Sequence, residues 1–185
     1  MSITRRKLIQ QFLIMSGGVL VLPSCMQSES KSSVLLKNVK ISGDDEKLLT
    51  ELGETILPAT DSPGAKDVYA HLYTLRMLDD CSPKEDQEKF TRGLKAFSRF
   101  SEDRLKTGFA AATPDQRRQL LTAVEGKKDI PEDVQAFYEG YKRATITAFV
   151  NSRYFLTNVQ KYELVPGRFN GCAPVKASAK KQAAA

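Results

Sequence analysis

Apolar residues recur every three or four positions over most of this chain, a spacing typical of helices with one buried face. In the segment that begins at Asp44, the recurring apolar residues are Leu48, Leu49, Leu52 and Ile56. Prolines and glycines divide the pattern. We therefore predict helices over about residues 44–58, 66–80, 82–107 and 113–126, and a last long helix that starts between residues 129 and 132. The predicted fold class is all-α, a single compact domain of five to six helices followed by an irregular C-terminal segment.

Two of the predicted helices begin with a capping signal. Ser82 precedes Glu85 by three positions, Thr113 precedes Gln116 by three, and a proline directly follows each cap. A serine or threonine side chain at this position can accept a hydrogen bond from the first turn, while the later glutamate or glutamine reaches back to the cap. Proline is favoured in the first turn of a helix. We therefore expect side-chain caps at Ser82 and Thr113.

The first 24 residues are typical of an export signal. Arg5 and Arg6 precede a weakly apolar run over residues 12–22, which is too short for a membrane span of about 20 apolar residues. The arginine pair predicts twin-arginine export, a route for proteins that are already folded; the alternative is an ordinary secretory signal. Residues 22–25 resemble a lipobox, at which the chain would be cut before Cys25 and the cysteine acylated. The alternative there is cleavage elsewhere, which would leave Cys25 free.

The sequence predicts four segments: a signal peptide over residues 1–24, a lipid-attached tether over 25–43, a helical domain over 44–175 and a disordered Ala/Lys tail over 176–185. In the tether, residues 34–41 form a short β-prone run that can lie extended against the domain. The whole chain has a net charge of +6, and removal of the signal, which has three basic residues and no acidic one, would leave +3. No clustered basic face supports nucleic-acid binding.

Motifs for cofactors and metals are missing from the sequence. His71 is the only histidine, so the three or four clustered ligands of a zinc site cannot be assembled around it. We expect it at the helix surface or at the edge of the core. There is no Cys-x-x-Cys-His motif for haem and no glycine-rich phosphate loop outside the signal. The acidic pairs at residues 44–45 and 79–80 lie at predicted helix ends, where capping and charge account for them. We therefore expect no catalytic residue, cofactor or metal in this chain.

Besides Cys25, the chain contains Cys81 at a predicted helix end and Cys172 in the irregular C-terminal segment. Exported chains often meet oxidising conditions. A Cys81–Cys172 disulfide would close a loop of roughly 90 residues and stabilise the domain by about 4 kcal/mol. Two alternatives stay open: Cys172 pairs with a cysteine of a partner, or Cys81 is a buried thiol.

Two stretches of the chain resemble segments of a known family. Residues 54–65 have the sequence ETILPATDSPGA, and residues 162–174 have the sequence YELVPGRFNGCAP. The first is similar to the segment ETIIPATDTPGA of the gluconate 2-dehydrogenase subunit 3 family. The second resembles the C-terminal pattern of that family, in which Pro-Gly is followed by Gly-Cys and a proline. The resemblance covers about residues 44–175.

The resemblance implies a small subunit without a redox centre. Its expected partner is the large subunit of an FAD-dependent dehydrogenase of the GMC type that acts on gluconate, sugars or alcohols. The resemblance implies that FAD is held in that partner and that a cytochrome c often accepts the electrons. The small subunit would accompany the flavoprotein through twin-arginine export and stay bound on the periplasmic side of a bacterial membrane. A lipobox at Cys25 departs from the usual pattern of the family, so the lipid could replace a cytochrome as the membrane anchor.

The two stretches also contain proline- and glycine-rich loops, which often bind partners when a helical scaffold holds them. The candidate contact residues are Pro58, Asp61, Pro63, Gly64, Pro166 and Gly167. The alternative for the first loop is that it only turns the chain between two helices. Two other functions stay open for the chain: a free-standing periplasmic lipoprotein that binds a small ligand between its helices, and an enzyme that uses carboxylates such as Asp61.

Overall fold

The structure, a computed structural model, describes residues 31–127, 129–160, 162, 165, 167 and 172. Its α-helices are α1 (Gly43–Ile56), α2 (Ala70–Cys81), α3 (Lys84–Leu105), α4 (Pro114–Glu125) and α5 (Glu132–Val150). A 3₁₀ turn spans Phe109–Ala111, and a π-helical turn spans Phe155–Val159. The described residues contain no β-strand, only an isolated bridge between Lys31 and Ser42. The all-α prediction is therefore confirmed.

Helix α5 lies at the centre of the domain and packs against α1, α2 and α3. The closest approach to α3 is at Gly93, where a Cβ atom would lie 2.7 Å from the Cβ atom of Phe137. The ring of Phe137 is stacked with that of Tyr141 and lies edge-on to that of Phe90, with centroids 6.0 Å and 5.2 Å apart. Glycine lowers helix stability by about 1 kcal/mol relative to alanine, but here it allows two helices to pack closely. Further fully buried core residues are Leu49, Leu52, Leu75, Leu94, Phe97, Phe109, Val124 and Val134.

One buried hydrogen bond joins the last helix to the first. The Tyr141 hydroxyl donates to the Leu49 carbonyl oxygen at 2.7 Å. Tyr141 is fully buried, and burial raises the pKa of its phenol, so that the hydroxyl stays protonated and able to donate. The contact between α1 and α5 therefore combines apolar packing with a satisfied polar group.

The two predicted helix caps had different outcomes. The Thr113 hydroxyl accepts from the Gln116 N–H at 3.3 Å, and the Gln116 side chain accepts from the Thr113 N–H at 2.9 Å, which confirms the capping box of α4. The prediction for Ser82 was wrong, because α3 begins after Pro83 and no side chain caps it. The Ser82 hydroxyl instead turns back and donates to a carbonyl of α2 at 3.4 Å.

Helix α2 begins later than the sequence predicts. The pattern predicts a helix from about residue 66, whereas residues 65–69 form a turn and the helix starts at Ala70. Tyr69 has a φ of 53°, in the left-handed region that is unfavourable for residues other than glycine. The apolar spacing cannot show this break, because Val68 and Leu72 keep the helical period across the turn.

Residues 31–42, here called the N-terminal strap, lie against the helices. Val34, Leu36 and Ile41 pack on the main core, and Val39 is buried. This contact agrees with the expectation that the β-prone run of residues 34–41 lies against the domain. The packing of the domain therefore includes residues before α1, and residues 25–30 of the predicted tether lie outside the described residues.

The strap is held by the carboxylate of Asp79, which is only 2% exposed. The backbone N–H groups of Lys37, Asn38 and Val39 donate to it at 2.8, 2.7 and 2.9 Å. These hydrogen bonds, led by that from Lys37, hold the pKa of Asp79 below its ordinary value although burial opposes them. Asp79 thus has a structural contact, but its partners come from the strap and not, as the sequence predicted, from capping at the end of the helix.

Candidate functional site

The loop between α1 and α2, residues 57–69, is closed by a carboxylate of the preceding helix. Glu54 Oε1 accepts from the Ala59 N–H at 3.1 Å, and Oε2 accepts from the Lys66 N–H at 3.0 Å. The Ala65 N–H donates to the carbonyl of the first loop residue at 2.9 Å. The two ends of the loop are thus joined by hydrogen bonds, so the loop has a defined conformation.

Gly64 is required at the closest point of this loop. A Cβ atom at Gly64 would lie 2.6 Å from the Ala59 nitrogen and 2.7 and 2.8 Å from the carboxylate oxygens of Glu54. Contacts this short are not tolerated without a shift of the backbone or of the carboxylate. The Gly64 N–H also donates to Asp67 at 2.9 Å. The glycine predicted as a partner contact is therefore buried and closes the loop, while other residues form its outer surface.

The outer surface of the loop includes residues 58–61, Lys66, Asp67 and Tyr69. Pro58 and Asp61, both predicted contact residues, are exposed, whereas Pro63 is half-buried. Tyr69 is 64% exposed, although aromatic side chains are usually buried. Its backbone has a left-handed conformation, and strained conformations of this kind often occur at functional sites. Sequence reasoning missed Tyr69, because it placed this residue inside a continuous helix. Its unusual φ is visible only in the structure.

Small apolar residues join the base of this loop to α5. Ala65, Ala70 and Ala148 form a separate buried cluster, against which Leu57 and Tyr73 pack. Because alanine side chains are short, the loop backbone lies close to the last helix. The loop is therefore held by two helices, α1 through Glu54 and α5 through this cluster.

A partly exposed ion-pair network joins the same loop to α1 and to the start of α4. Glu51 accepts from Lys66 Nζ at 2.7 Å and from Arg117. Arg117 also donates to the Phe109 and Ala110 carbonyl oxygens at 3.0 and 2.6 Å. Partial burial raises the pKa of Glu51, but the hydrogen bonds from Lys66 and Arg117 outweigh it and hold the pKa below its ordinary value. Since these contacts all join segments of the domain to one another, we assign the network a structural role.

His71 is more buried than the sequence predicts. We expected it at the helix surface or the edge of the core, whereas it is only 8% exposed and lies with Nε2 3.8 Å from a carboxylate oxygen of Glu46. That carboxylate also accepts from the Ser32 hydroxyl at 3.0 Å and the Ser33 N–H at 2.6 Å. Burial lowers the pKa of His71, and the charge of Glu46 offsets this only in part. The contact ties the strap, α1 and α2 together.

An open groove of about 770 Å³ lies between α2, α3 and α5. Its apolar walls include Tyr73, Met77, Phe90 and Phe137. Thr74 also lines it, and its hydroxyl is buried without a hydrogen-bond partner in the described part of the chain. Small-ligand sites are usually apolar clefts with a few polar groups, which this groove resembles.

The remaining predicted site residues are only partly described. Gly167 is exposed, and Pro166 lies outside the described residues, as do Arg5, Arg6 and Cys25. Cys81 and Cys172 are both exposed, which excludes the interpretation of Cys81 as a buried thiol. Their pairing, within the chain or with a partner, stays a prediction.

No group of three or more His, Cys, Asp or Glu residues in the described part of the chain could hold a metal ion. Within the same ranges, no helix combines the length and the hydropathy that crossing a bilayer requires.

Comparison with known proteins gives a family match. The model of the family described as gluconate 2-dehydrogenase subunit 3 matches residues 43–167. The matched range begins at the first residue of α1 and includes the whole 57–69 loop. No curated protein and no solved structure matches the chain.

Proposed function

The chain belongs to the gluconate 2-dehydrogenase subunit 3 family, and from this membership we propose that it is the non-catalytic small subunit of an FAD-dependent gluconate or sugar dehydrogenase complex. The large subunit, of the GMC type, would hold FAD and the substrate. The small subunit would accompany it through twin-arginine export and hold it on the periplasmic side of the membrane through the lipid at Cys25. The observation that carries the proposal is the family match over the whole helical domain.

The closed loop supports this role, because a surface that is ordered before binding loses less conformational entropy in the complex. Glu54 fixes the loop from within, while Pro58, Asp61 and Tyr69 remain on its outside. Tyrosine is one of the residues enriched where a contact surface contributes most of its binding energy. We propose that these three residues contact the flavoprotein. A permanent complex buries about 2,000 Å² or more, so a second segment that contains Pro166 and Gly167 would extend the surface.

In this account the redox chemistry takes place in the partner. FAD in the large subunit would accept electrons from the substrate, and a cytochrome c is a further candidate partner as their acceptor. The lipid at Cys25 would supply membrane attachment whether or not a cytochrome is present.

The export part of the proposal is tested by replacing both signal arginines, Arg5→Lys and Arg6→Lys. Lysine keeps the charge but removes the arginine pair, so both this chain and the flavoprotein should stay in the cytoplasm. The matched control is Lys7→Gln, which changes the charge of the same region and leaves the pair intact. The measurement is the amount of flavoprotein in the periplasmic and membrane fractions. Normal export of the flavoprotein from the double variant would contradict the proposal.

A small-ligand binder is the second candidate function, and the groove between α2, α3 and α5 is the observation that favours it. Gly140 lines the groove, and a Cβ atom there would meet nothing within 4 Å. A Gly140→Leu substitution would therefore narrow the groove without a clash at its Cβ atom. Mass spectrometry of the purified chain would detect a bound small molecule that is lost in this variant if the second candidate is right.

A further inference from the structure

The N-terminal strap has two different faces. Ser32, Val34 and Leu36 are half-buried against the domain, whereas the alternate positions between and after them are exposed. Leu35, at one of the outer positions, is 90% exposed. The outer face of the strap therefore presents a single large apolar side chain to the surroundings.

Lysines surround this apolar side chain. Lys31, Lys40 and Lys95 line a shallow groove beside the strap, Lys84 lines the adjoining groove, and Lys37 precedes the buried part of the strap. All five are exposed. None of them forms an ion pair within 4.0 Å of a carboxylate in the described ranges. The cluster thus has positive charge that the domain itself does not neutralise.

The carboxylates in the same two grooves are Asp45, Asp79, Asp80 and Glu88. Asp79 is occupied by three backbone N–H groups of the strap. Asp45 accepts from the Ser42 N–H and hydroxyl in the cap of α1. Only Asp80 and Glu88 remain as outward acidic groups, so the lysines dominate the charge of this face.

The position of the strap fixes the exit point of the lipid tether. Lys31 forms a bridge with Ser42, so the strap starts beside the first turn of α1. Five residues separate Lys31 from Cys25, and an extended chain of this length reaches about 20 Å at most. Helix α1 has 14 residues and a length of about 21 Å, which places the 57–69 loop at the opposite end of that helix.

We propose that the strap face, formed by Lys31, Leu35, Lys37, Lys40 and Lys95, lies on the surface of a bilayer that contains anionic lipid. The lysines contact the lipid headgroups, and Leu35 enters the interfacial region. The 57–69 loop then points away from the membrane, where a partner can reach it. This inference rests on the proposed lipid anchor at Cys25, since the short tether is what brings this face to the membrane. Each lysine near an anionic surface raises the affinity about fivefold, an effect that salt reduces.

The test uses the full acylated chain, purified in detergent and reconstituted into vesicles. Cys81→Ser and Cys172→Ser remove the exposed thiols, and a fluorophore is attached through Leu35→Cys or, in a matched control, through Ala59→Cys in the 57–69 loop. Vesicles of phosphatidylcholine with phosphatidylglycerol carry a nitroxide on the headgroup, which quenches fluorophores that lie close to it. Flotation of the vesicles reports anchoring separately from orientation, and circular dichroism checks the fold of each variant.

We expect strong quenching at position 35 and little at position 59. The quenching at position 35 should fall when Lys31, Lys37, Lys40 and Lys95 are changed to Gln, and also in vesicles of phosphatidylcholine alone. Flotation with equal quenching at both positions, or without quenching at position 35, would overturn the inference and leave the proposed anchor intact. If the fluorophore at position 35 becomes shielded from solvent only when the flavoprotein is present, this face contacts the protein partner. That result would likewise overturn the inference. Loss of flotation would overturn both the anchor and the inference.

Discussion

The Val39 N–H donates to the Asp79 carboxylate at 2.9 Å, which joins the N-terminal strap to the end of α2 across 40 positions of sequence. Because the strap lies between the predicted lipid site and α1, this contact determines where the chain that leads to that site leaves the domain. A carboxylate near the C-terminal end of a helix is unfavourable for the helix dipole. The hydrogen bonds from three strap N–H groups offset this unfavourable interaction between Asp79 and the helix dipole.

We predict that Asp79→Asn releases the strap without unfolding the helices. An amide keeps one acceptor oxygen but loses the charge and the second oxygen, so the N–H groups of residues 37–39 lose their strongest partners. Hydrogen exchange at these three amides should become faster, while the exchange of α3 and α5 stays unchanged. Asp80→Asn, at the exposed neighbouring position, is the control and should leave the strap protected. Unchanged exchange at residues 37–39 in Asp79→Asn would show that the strap is held by other contacts.

The same carboxylate makes the strap sensitive to acid. The pKa of Asp79 is lowered from 3.8 in the folded chain, so its contribution to stability is fully present above pH 3.8 and is lost as the pH falls below that value through the lowered pKa. Amide exchange at residues 37–39, corrected for its intrinsic pH dependence, should rise in that range in the natural chain. It should be nearly independent of pH there in Asp79→Asn.

Gly64→Ala should open the 57–69 loop. The added methyl group would lie 2.6 Å from the Ala59 nitrogen and against the Glu54 carboxylate, and such overpacking costs about 1–3 kcal/mol. The control is Gly108→Ala, because a Cβ atom at Gly108 meets nothing within 4 Å. Chemical denaturation should show the loss of stability only for Gly64→Ala, and co-purification of the flavoprotein should weaken in the same variant. Equal stability of the two variants would contradict the close approach.

Tyr69→Gly should separate stability from partner binding. A side chain in the left-handed conformation destabilises the folded state by about 1–2 kcal/mol, and glycine avoids this cost. Glycine also makes the unfolded chain more flexible, which lowers the free energy of unfolding by about 0.5–1 kcal/mol. The isolated domain should therefore be as stable as before or slightly more stable. Loss of the exposed ring should nevertheless reduce the amount of flavoprotein that co-purifies. Full retention of the flavoprotein would remove Tyr69 from the contact surface.

His71 should make the domain less stable as the pH falls below neutral. Its pKa is lowered from 6.5, mainly by burial, so the unfolded chain binds the proton more readily than the folded one. The contribution of neutral His71 to the free energy of unfolding is fully present above pH 6.5. It is lost as the pH falls below 6.5 through the lowered pKa, and the free energy of unfolding then changes by at most about 1.4 kcal/mol per pH unit. Urea denaturation between pH 7 and pH 5 measures this slope. Since His71 is the only histidine, His71→Gln should abolish most of it, and an unchanged slope would contradict the assignment.

Local signals in the sequence located the helices, but they decided only one of the two caps. The apolar spacing located the five α-helices, and the Thr113 capping box was confirmed. The equally local signal at Ser82 failed, because its hydroxyl donates to a carbonyl of α2 instead. Contacts between distant segments were beyond this kind of reasoning. The burial of His71 and the partners of Asp79 depend on how the strap crosses the helices. The break at Tyr69 depends on how the loop closes on Glu54. The proposed contact surface was thus recognised as a loop, but its shape and its exposed tyrosine could not be predicted.

Co-purification from detergent-solubilised membranes tests the central claim most directly, because it asks whether the chain is a subunit. We predict that a tag on this chain recovers a larger flavoprotein in equal amount, with the flavin and all dehydrogenase activity in the larger component, and that the chain separated from it is inactive and colourless. Recovery of the chain alone, or dehydrogenase activity in the isolated chain, would contradict the account.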